Sequence, residues 1–194
     1  MGNGIYQDRR GPVSRGTGAE RRIQGPGRTI VLIGVPGAGK STVGVVLAKE
    51  LRMQFIDTDL LIQERCGRLL QEVLDDGGPD SFKEIEEEVV LSLDCRNTVL
   101  ATGGSVVFSG RAMEHLRKGG IIVWLDISCE RMEERLRNSA MRGIVLAKGE
   151  SLRAMYNERM PLYRNYADVT IACSDDDVER IVRKIVHEVR TSPG

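Results

Sequence analysis

Residues 34–42, which read GVPGAGKST, constrain the fold of this chain more than any other segment of its 194 residues. They fit the pattern Gly-x-x-x-x-Gly-Lys-Ser/Thr at every fixed position, directly after an apolar run and before a helical pattern. Glycines let the backbone turn its N–H groups inward, and a helix N-terminus adds positive potential. The segment therefore predicts a phosphate cradle, and an ordinary glycine-rich turn is the alternative.

The chemistry of this segment predicts a nucleoside triphosphate as its ligand. The lysine places a cation near the β- and γ-phosphates, and the hydroxyl that follows can support Mg²⁺. The segment does not identify the group that receives the phosphate. The predicted ATP-binding residues are Gly34, Gly37, Ala38, Gly39, Lys40, Ser41 and Thr42.

Short apolar runs alternate with helical patterns along the rest of the chain, which predicts a parallel α/β sheet with right-handed crossovers. Three of the runs are continuously apolar, as in strands that are covered on both faces. The predicted strands are 29–34, 55–57, 98–103, 121–126 and 169–172, and the predicted helices are 40–52, 59–65, 80–94, 110–118, 129–137, 151–166 and 175–190.

Composition limits the classes of partner. The formal net charge is zero and aromatic residues make up only 4%, so neither nucleic acid nor an anionic membrane is an expected partner. Four scattered cysteines suggest reduced thiols in a cytoplasmic protein, and no run is apolar enough to span a membrane. The Gly- and Arg-rich residues 1–27 are expected to be a disordered tail, with a single domain at 28–194.

Two aspartates leave the second predicted strand at its carboxyl end, where open α/β sheets bind ligands. One of Asp57 and Asp59 can support Mg²⁺ through its water shell while the other accepts a proton from a hydroxyl nucleophile, an arrangement suited to phosphoryl transfer. The alternative is a structural one, in which Thr58 or Asp59 caps the helix that follows.

Three later segments carry candidate binding groups. The glycines of residues 101–105, ATGGS, can present backbone N–H groups to an anion in the same cleft. Residues 135–151 form a long polar loop between two helices, as expected of a closing lid, and contain Arg137 and Arg142. Arg159 can be either an anion ligand or a surface charge.

Taken in order, GVPGAGKSTVG, FIDTD, FKEIE, ATGGS, IIVWLD and RMPLYRNYAD resemble the shikimate kinases from about residue 29 to residue 189. The resemblance implies a P-loop kinase with a five-stranded parallel sheet of order 2-3-1-4-5, helices on both faces and a mobile lid at about 138–151. It implies transfer of phosphate from ATP, with Mg²⁺, to the 3-hydroxyl of shikimate, a step toward the aromatic amino acids. The expected protein is a cytoplasmic monomer.

The resemblance also implies roles for individual residues. The catalytic residues would be Lys40, Asp59 and the lid residue Arg142, and Arg137 would pack on the adenine. Ser41 and Asp57 would support Mg²⁺. The substrate would contact Asp59, Lys83, Gly103, Gly104, Ser105 and Arg159.

The chain departs from the family pattern on the acceptor side. Lys83 stands where the family has an arginine that binds the acceptor carboxylate. A guanidinium offers two parallel donors in one plane, whereas the lysine ammonium is a point charge. Ser105 replaces a third glycine and would be strained at positive φ. The lid reads RGIVL after residue 141. A paralogous kinase for another hydroxylated acid and a non-catalytic ATP-binding protein are therefore alternatives.

Overall fold

The computed structural model describes residues 28–137, 144, 149–173 and 177–191. Five strands form one sheet of order β2-β3-β1-β4-β5, in which every neighbouring pair is parallel. The predicted fold class and strand order are confirmed. The strands are β1 (Thr29–Ile33), β2 (Gln54–Asp57), β3 (Thr98–Ala101), β4 (Gly120–Asp126) and β5 (Val169–Ala172).

In the part of the chain that the structure describes, seven helices and a short 3₁₀ turn connect and cover these strands. All five residues of β1 are buried, which places helices on both faces of the sheet. The helices are α1 (Lys40–Leu51), α2 (Thr58–Cys66), α3 (Leu70–Leu91), α4 (Gly110–Gly119), α5 (Cys129–Arg137), α6 (Leu152–Tyr166) and α7 (Val178–Thr191), and the 3₁₀ turn is Val106–Phe108.

Helix α3 is where the structure departs most from the sequence prediction. The helix predicted at 80–94 begins ten residues earlier, at Leu70, and ends at Leu91. Its interior contains a kink at Gly78 (φ 74°), followed by Pro79. Gly-Gly-Pro is a strong signal for a loop, and the sequence prediction therefore missed the first half of the helix. A second, smaller core of Ile62, Leu70, Val73, Leu74, Phe82 and Val89 packs α3 against α2.

The remaining expectations concern thiols and membranes. All four cysteines are free thiols, as predicted. Within the described residues, no helix combines the length and apolar character that a membrane span requires. The tail predicted at 1–27 lies outside those residues.

Candidate active site

The phosphate loop joins the carboxyl end of β1 to the first turn of α1. A side chain at Gly34 would bring its Cβ within 2.8 Å of the carbonyl oxygen of Leu125, so the close approach of β4 requires glycine there. Gly39 caps α1 with φ 92°, a conformation that favours glycine. Ala38 donates its N–H to Val35, which closes the turn. The loop therefore curls against the start of α1, as the motif predicts.

Lys40 lies beneath this loop and is buried. Its Nζ donates hydrogen bonds to the carbonyl oxygens of Gly34 at 2.8 Å and Val35 at 3.1 Å. Burial lowers the pKa of Lys40 to about 8, and the negative charge of Asp59 opposes that shift. These hydrogen bonds to the loop hold the Lys40 ammonium group beside the expected position of the nucleotide phosphates.

An arginine that sequence reasoning did not select contacts the phosphate loop. Arg135 of α5 donates to the carbonyl oxygen of Gly37 at 2.9 Å. Arg137, the predicted adenine contact, is exposed and donates to Glu133 of its own helix. Arg135 and Arg137 lie on opposite sides of the buried stripe of α5. Helical periodicity alone therefore does not indicate which of them faces the phosphate loop.

The predicted Mg²⁺ ligands lie at the ends of neighbouring elements. Ser41 and Thr42 are exposed in the first turn of α1. Asp57 is buried and caps α2, because its Oδ1 accepts the N–H of Asp59 at 3.0 Å. The expected alternative, a cap formed by Thr58 or Asp59, is wrong. Mg²⁺ usually retains several waters and takes one or two protein oxygens, so this hydroxyl and carboxylate fit it.

Asp59 follows in the first turn of α2 and faces the same cleft. Desolvation, reinforced by the charge of Asp57, raises the pKa of the Asp59 carboxyl to about 6, while Lys40 opposes the shift. A carboxylate with this pKa is ionised at neutral pH and is a better proton acceptor than a solvated aspartate. It therefore has the chemistry of a general base.

The acceptor-side turn, residues 103–105, follows β3 and faces Asp59. The N–H of Gly103 is already donated to the Thr58 hydroxyl at 3.0 Å, a contact that the sequence did not predict. Tyr163 donates its hydroxyl to the carbonyl oxygen of Gly104 at 2.6 Å. Across the described residues, no hydrogen bond is made by the N–H groups of Gly104 and Ser105. These two N–H groups are therefore the candidate backbone donors to an anion.

Ser105 is not strained. Its backbone lies in the right-handed region at φ −95° and ψ −8°, so the condition for strain, a positive φ, is not met. Its hydroxyl instead donates to Glu86 Oε2 at 2.6 Å, within the protein interior. Replacement of the third glycine therefore adds a buried hydrogen bond.

Glu86 is a functional candidate that the sequence analysis missed. It is only 1% exposed, and burial raises the pKa of its carboxyl to about 7, while the hydrogen bond from Ser105 opposes the shift. Its Oε1 has no hydrogen-bond partner among the described residues. A methyl group placed on Gly103 would overlap this oxygen and lie 3.0 Å from Asp59 Oδ1. Glu86 and Asp59 thus border the same glycine.

Two cations share one aromatic ring beside this turn. Lys83 Nζ lies 5.1 Å from the centroid of the Phe108 ring, and Arg159 Cζ lies 5.4 Å from it. Arg159 is 2% exposed, so it is not a surface charge. Lys83 borders a groove whose walls include Glu86, Ser105 and Phe108. The structure therefore brings Lys83 and Arg159 together, as the resemblance implies.

The predicted lid is described only in part. Arg142 lies outside the described residues, together with most of the span at about 138–151. Ile144 is described and is buried in the main core.

Comparisons with known proteins agree with this geometry. The family model for shikimate kinase matches residues 36–190. Shikimate kinase 1 of Citrobacter koseri and that of Escherichia fergusonii are each 37% identical over 169 residues, which cover 85% of this chain and 98% of each relative.

Solved structures give the same result. The shikimate kinase of Acinetobacter baumannii in complex with shikimate has a TM-score of 0.77 at 30% identity, covering 84% of this chain and 93% of its own. A sugar kinase from Janibacter sp. HTCC2649, with a TM-score of 0.60 at 15% identity, shares the fold. The family model matches residues 36–190, and relatives that are 37% identical cover 85% of the chain. This chain therefore belongs to the shikimate kinase family.

Proposed function

We propose that this chain transfers the γ-phosphoryl group of ATP to the 3-hydroxyl of shikimate with the help of Mg²⁺. The observation that carries the proposal is the mutual placement of Lys40 and Asp59. Each acts on the charge of the other across the cleft, Lys40 from the phosphate loop and Asp59 from the acceptor side. Nucleotide phosphate and acceptor hydroxyl would meet between them.

The reaction needs alignment and charge neutralisation rather than a covalent intermediate. Asp59 takes the proton of the acceptor hydroxyl as its oxygen forms a bond to the γ-phosphorus, and the bond between that phosphorus and the bridging oxygen of ADP breaks. The Lys40 ammonium stabilises the charge on the transferring group. Its hydrogen bonds to Gly34 and Val35 orient it beforehand.

Mg²⁺ would be held by Ser41 and, through water, by Asp57, and it neutralises phosphate charge when bound. On the acceptor side, Arg159 and Lys83 are the cations for the carboxylate, and the N–H groups of Gly104 and Ser105 add hydrogen bonds. Arg135, which already contacts Gly37, is the better candidate for a nucleotide contact than Arg137. Arg142 as the lid arginine, a monomeric state and a cytoplasmic location remain predictions.

A coupled ADP-release assay tests this function with shikimate as the acceptor. We expect ADP release to require shikimate, with a KM raised above that of an arginine-bearing relative assayed alongside. Stimulation by another hydroxylated acid, without stimulation by shikimate, would support a paralogous kinase. ATP binding without turnover on any acceptor would support a non-catalytic role.

Lys83→Arg probes the acceptor assignment further. Because a guanidinium can form two parallel hydrogen bonds to a carboxylate, we expect the KM for shikimate to fall about tenfold, equivalent to roughly 1.4 kcal/mol. The KM for ATP should not change. Initial-rate kinetics with each substrate varied in turn measure both, and an unchanged or raised KM for shikimate would contradict a carboxylate contact at position 83.

A further inference from the structure

Tyr163 of α6 is buried beside the acceptor-side turn and has no role in the phosphoryl transfer proposed for this chain. Its side chain is 0% exposed, and its ring stacks on Trp124 of β4 with 6.1 Å between the ring centroids. Burial raises the pKa of its phenol, while the neighbouring Arg159 opposes the shift by its charge and by a hydrogen bond. The phenol therefore keeps its proton at neutral pH and can donate it.

The hydroxyl of Tyr163 fixes the direction of one backbone N–H group in this turn. It donates to the carbonyl oxygen of Gly104 at 2.6 Å. That carbonyl and the N–H of Ser105 belong to one peptide unit, which is planar and trans, so the two groups point in opposite directions. A hydrogen bond that holds the carbonyl oxygen toward α6 therefore also holds the Ser105 N–H directed away from Tyr163.

The peptide unit between Gly104 and Ser105 is the part of the turn that depends on this hydrogen bond. On one side of it, the N–H of Gly103 is held by the Thr58 hydroxyl at 3.0 Å. On the other side, the carbonyl oxygen of Ser105 accepts the N–H of Phe108 at 3.0 Å. Gly104 lies between these two fixed points, and glycine has more backbone freedom than any other residue. Among the described residues, the tyrosine hydroxyl makes the one hydrogen bond to this peptide unit.

Helix α6 brings this peptide unit and Arg159 together. Arg159 and Tyr163 are four residues apart, so they lie on the same face of the helix. A Cβ atom added to Gly104 would lie 3.1 Å from Arg159 Nη1, which places the guanidinium against the turn. A guanidinium carries five N–H donors, so a hydrogen bond to Tyr163 leaves other donors for an anion.

We propose that Tyr163 is a positioning residue of the acceptor site, which directs the Ser105 N–H and holds the turn against the helix that carries Arg159. Both donors then meet the acceptor carboxylate in a fixed arrangement. The proposal rests on the proposed function, because it assigns these donors to an anionic acceptor. Without the hydroxyl, the peptide unit can rotate, and ordering it again would offset part of the free energy of carboxylate binding.

Tyr163→Phe tests this directly, because phenylalanine keeps an aromatic ring beside Trp124 and removes only the hydroxyl. We expect the KM for shikimate to rise about three- to tenfold, the usual range for one buried hydrogen bond, with kcat within twofold and the KM for ATP unchanged. Initial-rate kinetics with each substrate varied in turn measure all three values. Thermal unfolding identifies any loss of folded protein. An unchanged KM for shikimate in the folded variant would overturn the proposal.

The matched control is Tyr156→Phe on the same helix. Tyr156 also donates its hydroxyl to a backbone carbonyl oxygen, that of Ile127 at 3.0 Å, but it does not contact the turn. Its replacement removes a comparable hydrogen bond and should leave the KM for shikimate unchanged. An equal rise in this KM in Tyr156→Phe and Tyr163→Phe would mean that a general loss of packing is responsible, and it would overturn the proposal.

The backbone motion of the turn gives a readout that does not depend on turnover. In the protein without substrates, Tyr163→Phe should lower the ¹⁵N order parameter of the Ser105 amide or broaden its resonance by exchange, because its peptide unit is no longer held. The amide of Gly103, which Thr58 still holds, is the internal reference and should change less.

This measurement separates the failure of the proposal from the failure of the proposed function. A more mobile Ser105 amide in Tyr163→Phe, with no shikimate turnover by the wild-type protein, would show that Tyr163 positions the turn and that the acceptor assignment fails. Unchanged relaxation of the Ser105 amide would refute the control of the turn by Tyr163, whatever the acceptor.

Discussion

Asp59→Asn is expected to lower kcat for the acceptor by about 10²- to 10⁴-fold, the range typical for loss of a general base. The amide keeps the size of the side chain but cannot take a proton. The wild-type kcat/KM for the acceptor should also fall as the pH drops through about 6, because protonated Asp59 cannot accept another proton. Steady-state kinetics between pH 5 and about 9 measure both effects.

The matched control for this substitution is Asp75→Asn. Asp75 is exposed on α3, where its carboxylate accepts a hydrogen bond from Gln71, and it lies outside the cleft. The kcat of the Asp75→Asn variant should remain close to the wild-type value. A loss of less than tenfold in Asp59→Asn, with the acidic limb of the profile intact, would mean that another group takes the proton.

The fold was predictable because three of its five strands, β1, β3 and β4, lie in continuous apolar runs and its nucleotide loop has a fixed spacing. β1 and β4 are buried along nearly their whole length, and such strands need little tertiary information to be identified. The first half of α3 was not predictable in this way. Its Gly-Gly-Pro sequence favours a loop, and the packing of Val73 and Leu74 against α2, which stabilises it as a helix, forms only in the folded chain.

The acceptor side was predicted less completely, and Glu86 shows why. Within a charged run it resembles a solvated residue, yet it occupies an apolar stripe with Phe82, Val89 and Val90. That spacing was a usable signal. No such signal pointed to Ser105, the hydrogen-bond partner of Glu86, because Ser105 is 19 residues away in sequence and meets Glu86 only in the folded chain.

The same limit applies to Arg135 and Phe108. Arg135 meets the phosphate loop across 98 residues, and Phe108 brings together two cations that come from α3 and α6. No local pattern encodes either contact. The sequence therefore indicated the chemical groups of the candidate site more completely than it indicated the residues that position those groups.

Lys40→Met should lower kcat by at least about 10²-fold, because it removes a preorganised charge from the site of phosphoryl transfer. Methionine keeps a long apolar stem but donates no hydrogen bond to Gly34 or Val35. The control is Lys49→Met in the last turn of the same helix, where the lysine is exposed and should not affect kcat.

The pH dependence provides a second test of Lys40. Because burial lowers its pKa to about 8, the free enzyme loses the ammonium charge as the pH rises through that value. The kcat/KM for ATP, which reports the free enzyme, should therefore fall above about pH 8. Bound phosphates favour the charged form, so the alkaline limb of kcat should lie at higher pH. Coincident limbs in the two profiles would contradict a position of Lys40 beside the nucleotide phosphates, because nearby negative charge raises the pKa of a lysine.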